Sequence, residues 1–541
     1  MLSLCESTLY AQIIAPIAYV PRWKTFGAPI AAGILALVAA SSAGALLGGN
    51  SGASTVLAVS TTGSDKNACT TTSPCNTLNR AYGAAVPGQT VEIAAGSYPG
   101  QLIKPDPAKT AADDVVFRPA SGATVTFTGE LTIQASHLEI RDVTIVGNNW
   151  HVRQGADDVT LRNVRASKIF ITSASNIRVL GGEVGPAENA DPQIKTASET
   201  APVPTNILLD RVYFHDIIRT NPAAHTECLQ IMAGNGIVIR NSRFERCATH
   251  GIFINPFLTD KIRDLLIENN WFGATIEGYY SLRIGECEKA LIRNNSAAQN
   301  MINSPKASCN AQWYGNIMPN KRRDQCGTEV GAIWDYNVYG GGSKCGSHDI
   351  VAPNGFVSDG DFHLTRGAAA IGRGNPESYP ALDYDGQRRP TDAPPDAGAD
   401  QRDPVAIILG RSIGAARLGM ARADIVAFYG DGRKNVVRLQ GKRLERTSYA
   451  VVGGSLSVTY EGDRVVAVAT TSPYYRTQRG IAVRAPIPSV PAFSRSTCAR
   501  SHSRSQGGTT TDLVHARGQK GAEKIMAITI ARNDFRVCGS V

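Results

Sequence analysis

The sequence predicts an all-β protein: a right-handed parallel β-helix followed by a second, small antiparallel β-domain at the C-terminus. Three observations lead there. A short apolar pattern recurs along the middle of the chain. Its 541 residues hold 53 glycines and only 7% aromatics, a balance suited to many short strands and tight turns. The recurrence stops near Gln401, where the charge balance changes sign: residues 1–401 carry 33 Lys and Arg against 37 Asp and Glu, and residues 402–541 carry 22 against 9.

The first element is an address. Arg22 and Lys24 precede an uncharged apolar run over residues 28–48, with Ala43, Gly44 and Ala45 in small-x-small form. Residues 1–54 are therefore expected to be a signal peptide, or an N-terminal membrane anchor over 28–48, with a short linker. Either reading places the rest outside the cell, secreted or on the surface. Cysteine usage agrees: setting Cys5 aside with the leader leaves an even ten and no CxxC pair, which favours disulfides over metal ligation.

Residues 55–401 are expected to form the β-helix with its covers. At its start, Leu78, Ala81, Tyr82 and Ala85 have one-turn spacing and precede an alternating run from Thr90 to Ile93, so a short helix should close the first coil. The recurring pattern then reads LEIRDVTI at Leu138, VTLRNVRA at Val159, IRVLGGEV at Ile177, ILLDRVYF at Ile207, IVIRNSRF at Ile237, LLIENNWF at Leu265 and ALIRNNSA at Ala290. Equivalent positions Ile140, Leu161, Val179, Leu209, Ile239, Ile267 and Ile292 lie 21, 18, 30, 30, 28 and 25 residues apart, the length of one coil. The repeated Asn marks a corner, where it can take the left-handed conformation and bond to the next coil. Leu229 and Ile231, Ile252 and Ile254, and Leu282 and Ile284 form a second series that should stack as another sheet. Leucine-rich repeats would vary less in interval, and propeller blades of about forty residues are absent. The Gly-, Pro- and Asp-rich stretch from Asp361 to Gln401 should wrap as an extended cover.

The coil series, the opening CTTTSPCNTLNRAYGAAVPGQTVEIAAGSYPG and the closing Asp361–Gln401 stretch together resemble secreted bacterial right-handed β-helix proteins of the pectate-lyase-like superfamily. The resemblance covers about residues 55–401. It implies the architecture and leaves the activity open, because the superfamily includes lyases, hydrolases, epimerases and adhesins.

Residues 402–541 are expected to be a small basic β-domain. Runs at Ile425–Phe428, Val436–Leu439, Ser455–Tyr460, Arg464–Ala469 and Lys524–Ile530 read as strands, YEGD at Tyr460–Asp463 as a hairpin turn, and Cys498 with Cys538 as a terminal tie.

Chemistry concentrates in residues 215–283. His225, Glu227 and Gln230 are similar to an HxDxxQ pattern of secreted β-helix proteins, with Glu227 in the place of Asp. His250 precedes the next stacked strand and is expected one coil above His225; Glu277, Tyr279, Tyr280 and Arg283 gather around the third. His225 or His250 could abstract the proton α to a uronate carboxylate, with Arg283 holding the charge that develops. Alternatively, Glu227 and Glu277 could form the carboxylate pair of a hydrolase. Gln230, Tyr279 and Tyr280 are expected to contact substrate. The competing reading is structural: His225 with Glu227 and Glu277 with Arg283 simply satisfy one another, and Cys228 with Cys247 staple adjacent coils.

No cofactor is expected. Asp210 and Asp216 are too few and too scattered for Ca²⁺, and DYDGQRRP at Asp383–Pro390 lacks the other ligands of a calcium loop. The expected partner is an acidic polysaccharide or cell-envelope polymer, bound and, in the enzyme reading, cleaved by lyase or hydrolase chemistry. The alternative is a non-catalytic carbohydrate-binding or structural surface module. A monomer is expected, without nucleic acid, and touching a membrane only through the N-terminal apolar segment.

Overall fold

Each coil of the central body turns through three short strands before the chain reaches the same corner one layer on. A computed structural model describes residues 56–535, apart from 111, 305–307, 320–330, 366, 391–393, 403–405, 452, 478, 487–492, 496–500 and 516–523. The first sheet runs through strands such as Thr205–Asp210, Asn235–Arg240 and Ile262–Glu268. The second contains Tyr213–Ile218, Arg243–Cys247 and Trp271–Phe272, and the third Leu229–Ile231, Ile252–Ile254 and Leu282–Ile284. All pairings within these sheets are parallel, giving a parallel β-helix. The long strands Asp157–Ala166 and Ser175–Val184 run round the corner and join the first two sheets into one 23-stranded ladder, while the third has nine strands.

Stacking follows the sequence intervals. Ile140, Leu161, Val179, Leu209, Ile239, Ile267 and Ile292 pair in consecutive layers and are buried. Unequal intervals do not disturb this column, because the extra residues are spent in loops between sheets. Beside it, Phe214, Phe244 and Phe272 stack with ring centroids 4.9 Å apart at each step.

The corner between the first and second sheets splits between two neighbouring residues the duties that the sequence pattern assigns to one Asn. Asn241, Asn269 and Asn294 adopt the left-handed conformation, with φ of 51°, 54° and 50°. The residues after them point inward and form a ladder. Asn270, Asn295, Asn316 and Asn337 each donate an Nδ2–H to a backbone carbonyl of the layer before and to the next side-chain oxygen, at 2.9–3.2 Å. Each Oδ1 from Asn295 to Asn337 also accepts the backbone N–H of the preceding rung. Ser242 ends the ladder at one side and Asp349 at the other.

The outer, left-handed Asn residues hold the closing segment instead. Asn269 Nδ2 donates to Leu382 O and Asn294 Nδ2 to Asp396 O, while the buried Arg389 donates to Asn269 Oδ1 and to the carbonyls of Asp396, Gly398 and Ala399. Gly398 is required there: its φ is 87°, and a Cβ would lie 2.6 Å from Ile317 Cδ1. The segment is an extended cover, laid along the corner. His363 pins it by donating to Asp361 and to Asp385 (2.8 Å to the latter). Burial opposes the charged imidazole, but these two hydrogen bonds outweigh it and push His363 up to about 10. DYDGQRRP forms a tight turn in which Asp383 Oδ1 accepts the N–H groups of Asp385 and Gln387.

At the other end, helix Leu78–Ala84 covers the first coil, with Thr77 as its N-cap and Leu78, Ala81 and Tyr82 buried. Among the described residues, Cys228–Cys247 and Cys287–Cys309 staple neighbouring coils, and Cys69–Cys75 closes a short loop at the start of the first. Cys498 and Cys538 lie outside the described residues.

C-terminal to the cover, an eight-stranded antiparallel sheet runs from Arg433–Leu439 at one edge to Ser494–Arg495 at the other, beside a four-stranded sheet. Residues 425–428, expected as a strand, belong instead to the helix Arg422–Tyr429, which buries Ile425 and Tyr429 one turn apart and ends at Gly430 with φ 74°. Four apolar residues in a row do not separate the two periods.

The expectation of a membrane anchor, and with it of membrane contact and surface anchoring, is corrected. Among the described residues, no helix is long and apolar enough to cross a membrane, and residues 28–48 lie outside the described residues.

Replacing one rung tests the ladder. Asn316→Ala removes both donors and strands the N–H of Asn295, so it should destabilise the protein by roughly 3 kcal/mol in urea unfolding. Asn241→Ala, at the one half-buried residue of the three outer Asn, should cost under about half of that.

Candidate functional site

The residues expected to carry chemistry gather on the outer side of the third sheet. The strand register Gln230↔Phe253↔Arg283 sets these three side chains in one outward row. The same register puts His250 above Glu227, not above His225, because the turn before Leu229 holds His225 in solvent two residues earlier.

Glu227 and His250 are 3% and 5% exposed, with His250 Nδ1 3.7 Å from Glu227 Oε1. Thr249 donates its hydroxyl to Glu227 Oε1 at 3.2 Å. Glu227 Oε2 and both ring nitrogens of His250 have no hydrogen-bond partner among the described residues. An aromatic wall packs around the imidazole: Phe253 at 4.9 Å, Tyr279 at 5.5 Å and Tyr280 at 6.0 Å between centroids. Burying a carboxylate and an imidazole with orphaned atoms is costly, and here the two stand side by side.

Glu277, Tyr279, Tyr280 and Arg283 line a cleft of about 640 Å³ next to this pair. Glu277 is gripped by both Nε and Nη2 of Arg219, which leaves Arg283 without it as a partner. Arg283 instead donates to Ser304 Oγ at 3.0 Å and lies 5.2 Å over the Phe253 ring.

Asp191 belongs to the site and was missed by sequence reasoning. It is 4% exposed, and Gln193 Nε2 donates to its Oδ2 at 3.3 Å. Burial, reinforced by the charge of Glu227, pushes its carboxyl up to about 6. The signal was a second acidic residue just ahead of a Gln: Asp191 stands two residues before Gln193, which pairs with Gln230, as Glu227 stands three before Gln230. A 37-residue interval hid it, longer than any in the Ile140–Ile292 series.

The outward row continues past Gln193. His151, Phe170, Gln193, Gln230, Phe253 and Arg283 occupy successive layers. Five steps of ~4.8 Å make this row about 24 Å long. At the far end a second cleft of about 530 Å³ is lined by His151, Arg153 and Lys195 among others. Lys195 lies 5.7 Å over the Phe170 ring and donates to Gln193 Oε1 at 2.7 Å. Each end of the row therefore presents a cation over a phenyl ring, held by a neutral partner.

No family model matches the chain, and no curated protein matches it. Among solved structures it is similar to a rhamnogalacturonan lyase, at 12% identity over 56% of this chain and 90% of that one, with a TM-score of 0.30. It is also similar to a surface adhesin of Streptococcus pneumoniae, at 11% over 48% and 79%, TM-score 0.29. A third is the A-module of an Azotobacter vinelandii mannuronan C-5 epimerase, at 12% over 51% and 91%, TM-score 0.24. Likenesses of this size carry no argument about chemistry, which rests on the side chains.

The raised Asp191 carboxyl gives a signed test. Folding favours its protonated form, so that contribution is whole below about pH 4 and is lost as pH rises through about 6. Asp191→Asn should match the wild type in unfolding free energy at pH 4 and exceed it by about 2 kcal/mol at pH 7.5. Equal stabilities at both values would contradict the burial assigned to Asp191.

Proposed function

We propose that this protein is an extracellular β-helix protein that binds an acidic polysaccharide lengthwise along its third sheet. The observation that carries this is the row from His151 to Arg283, with Phe170 and Phe253 facing outward and Lys195 and Arg283 above them. Sugar rings present apolar C–H faces that pack on aromatic rings, and uronate carboxylates pair with cations whose charge is not already neutralised. A small metabolite needs one enclosed pocket; two clefts at the ends of one straight row suit a polymer. Disulfides between coils support an oxidising, extracellular setting.

Titration against a panel of polyuronates and neutral glycans tests this. Acidic chains should bind, with affinity falling as salt rises, and Lys195→Ala and Arg283→Ala should each weaken binding about tenfold, the arithmetic of one lost charge-assisted contact. Absence of binding to every acidic chain by the folded protein would refute the proposal.

A second reading, cleavage of the bound chain, is favoured by the orphaned atoms of Glu227 and His250. In an elimination, His250 takes the proton α to the uronate carboxylate, Arg283 holds the charge that builds there, and the C–O bond β to the carboxylate breaks as the C=C bond forms, the departing sugar oxygen taking a proton from water. In a hydrolysis, Asp191 joins Glu227 as the carboxylate pair, since Glu277 is engaged by Arg219. His225, being exposed, serves in substrate contact with Gln230, Tyr279 and Tyr280. Under this reading acidic glycans incubated with the protein yield unsaturated uronates or new reducing ends, and Glu227→Gln lowers that rate at least a hundredfold while glycan affinity stays within a few-fold. Binding without any product leaves the protein a non-catalytic carbohydrate-binding module.

A further inference from the structure

Away from the third sheet, the corner that opens the first sheet carries a second chemical cluster. Val115, Leu138 and Val159 pair in consecutive layers, so the residues just before them, Asp114, His137 and Asp158, occupy one position in three successive coils. Each offers one ligand atom, and these atoms lie within 4.8 Å of one another. His137 Nδ1 is 3.2 Å from Asp158 Oδ2.

The cluster is not closed by its own contacts. Asp114 Oδ1 is shut off from solvent and has no hydrogen-bond partner among the described residues. Arg178 is the nearest cation, and it is committed to one side: Nη2 lies 2.6 Å from Asp158 Oδ1 but 3.8 Å from Asp114 Oδ2. Glu139 adds a further carboxylate close by, tied to Arg162 at 3.1 Å. A carboxylate with an orphaned oxygen, set beside a second carboxylate and an imidazole, is costly without a cation among them.

We propose that Asp114, His137 and Asp158 bind a first-row divalent cation that clamps three coils together. Two carboxylate oxygens and one imidazole nitrogen suit Zn²⁺, Co²⁺ or Mn²⁺; calcium would favour an all-oxygen set, and no thiolate is involved. The three residues are all partly exposed, so water can enter to complete the coordination. Arg178 then acts from outside, holding Asp158 in place through Oδ1 while its charge weakens the ion's attraction. The site is independent of the polysaccharide row and is tested without any glycan.

The full-length protein, stripped with chelator, is titrated with Zn²⁺ by calorimetry and with Co²⁺ by its visible absorption. The expected result is one ion per chain at this corner, a Tm that rises with Zn²⁺, and at least tenfold weaker binding in Asp114→Asn and in His137→Gln, with both variants folded by circular dichroism. Arg178→Gln removes the competing charge and should bind the ion several-fold more tightly. Failure of the wild type to bind at millimolar Zn²⁺ overturns the proposal. So does binding that survives both ligand substitutions, which would put the ion elsewhere, such as at His363, Asp385 and Asp400. Should either ligand variant fail to fold, an Arg178→Gln affinity equal to the wild type's overturns it as well.

Discussion

Everything in this molecule depends on satisfying the backbone and side chains at each corner of the coil. A strand can hydrogen-bond to the layers on either side without help, but a corner turns its amides away from that ladder and buries them. The run from Asn270 to Asn337 meets the demand with one residue type: the side-chain amide bonds back to a carbonyl, and its oxygen takes the amide of the preceding rung. Each rung serves two layers. Where the ladder stops at Ser242, the corresponding residues toward the N-terminus are Val212 and the φ-positive Gly182, and apolar packing or backbone freedom takes over.

That constraint also explains which features of the sequence were legible. A column such as Ile239, Ile267, Ile292 must keep its residue class in every layer, so it can be read despite intervals of 28 and 25 residues. The short cap helix was legible for the same reason: Leu78, Ala81 and Tyr82 must all face one open end. Nothing comparable constrains Ile425–Phe428, where an apolar run fits a strand or a helix and the turn at Gly430 settles it. Nor could the doubled Asn of IENNWF show that its first member reaches outward to Leu382 while its second reaches inward to Asn295, because adjacent residues on a corner diverge by geometry that no periodicity records.

The site was legible in composition and less so in arrangement. His225, Glu227, His250, Glu277 and Arg283 were identifiable because charged and imidazole groups stand next to strands whose inward residues are apolar. Their mutual placement was not, since it depends on turn lengths. Two residues in the turn before Leu229 are enough to set His250 above Glu227 and leave His225 in water. Arg219, which captures Glu277 from 58 residues away, and Asp191, a layer earlier, come from loops whose sequence carries no period.

A solenoid of this kind separates its burdens. Inward columns supply stability through stacked apolar rings and amides, so outward positions need only hold their register and are open to any side chain. The third sheet shows what that freedom permits: Gln, Phe and Arg succeed one another in a row with no common chemistry but a common spacing near the strand separation. The proposed polymer ligand, with units repeating on a similar scale, would meet such a row as a series of subsites. The orphaned Glu227 and His250 stand at the border between the inward and outward duties, too buried to serve solubility and too poorly bonded to serve stability. Asp114 Oδ1 and Asn294 Oδ1 are also buried without a partner among the described residues, so what sets this pair apart is that a carboxylate and an imidazole are orphaned side by side.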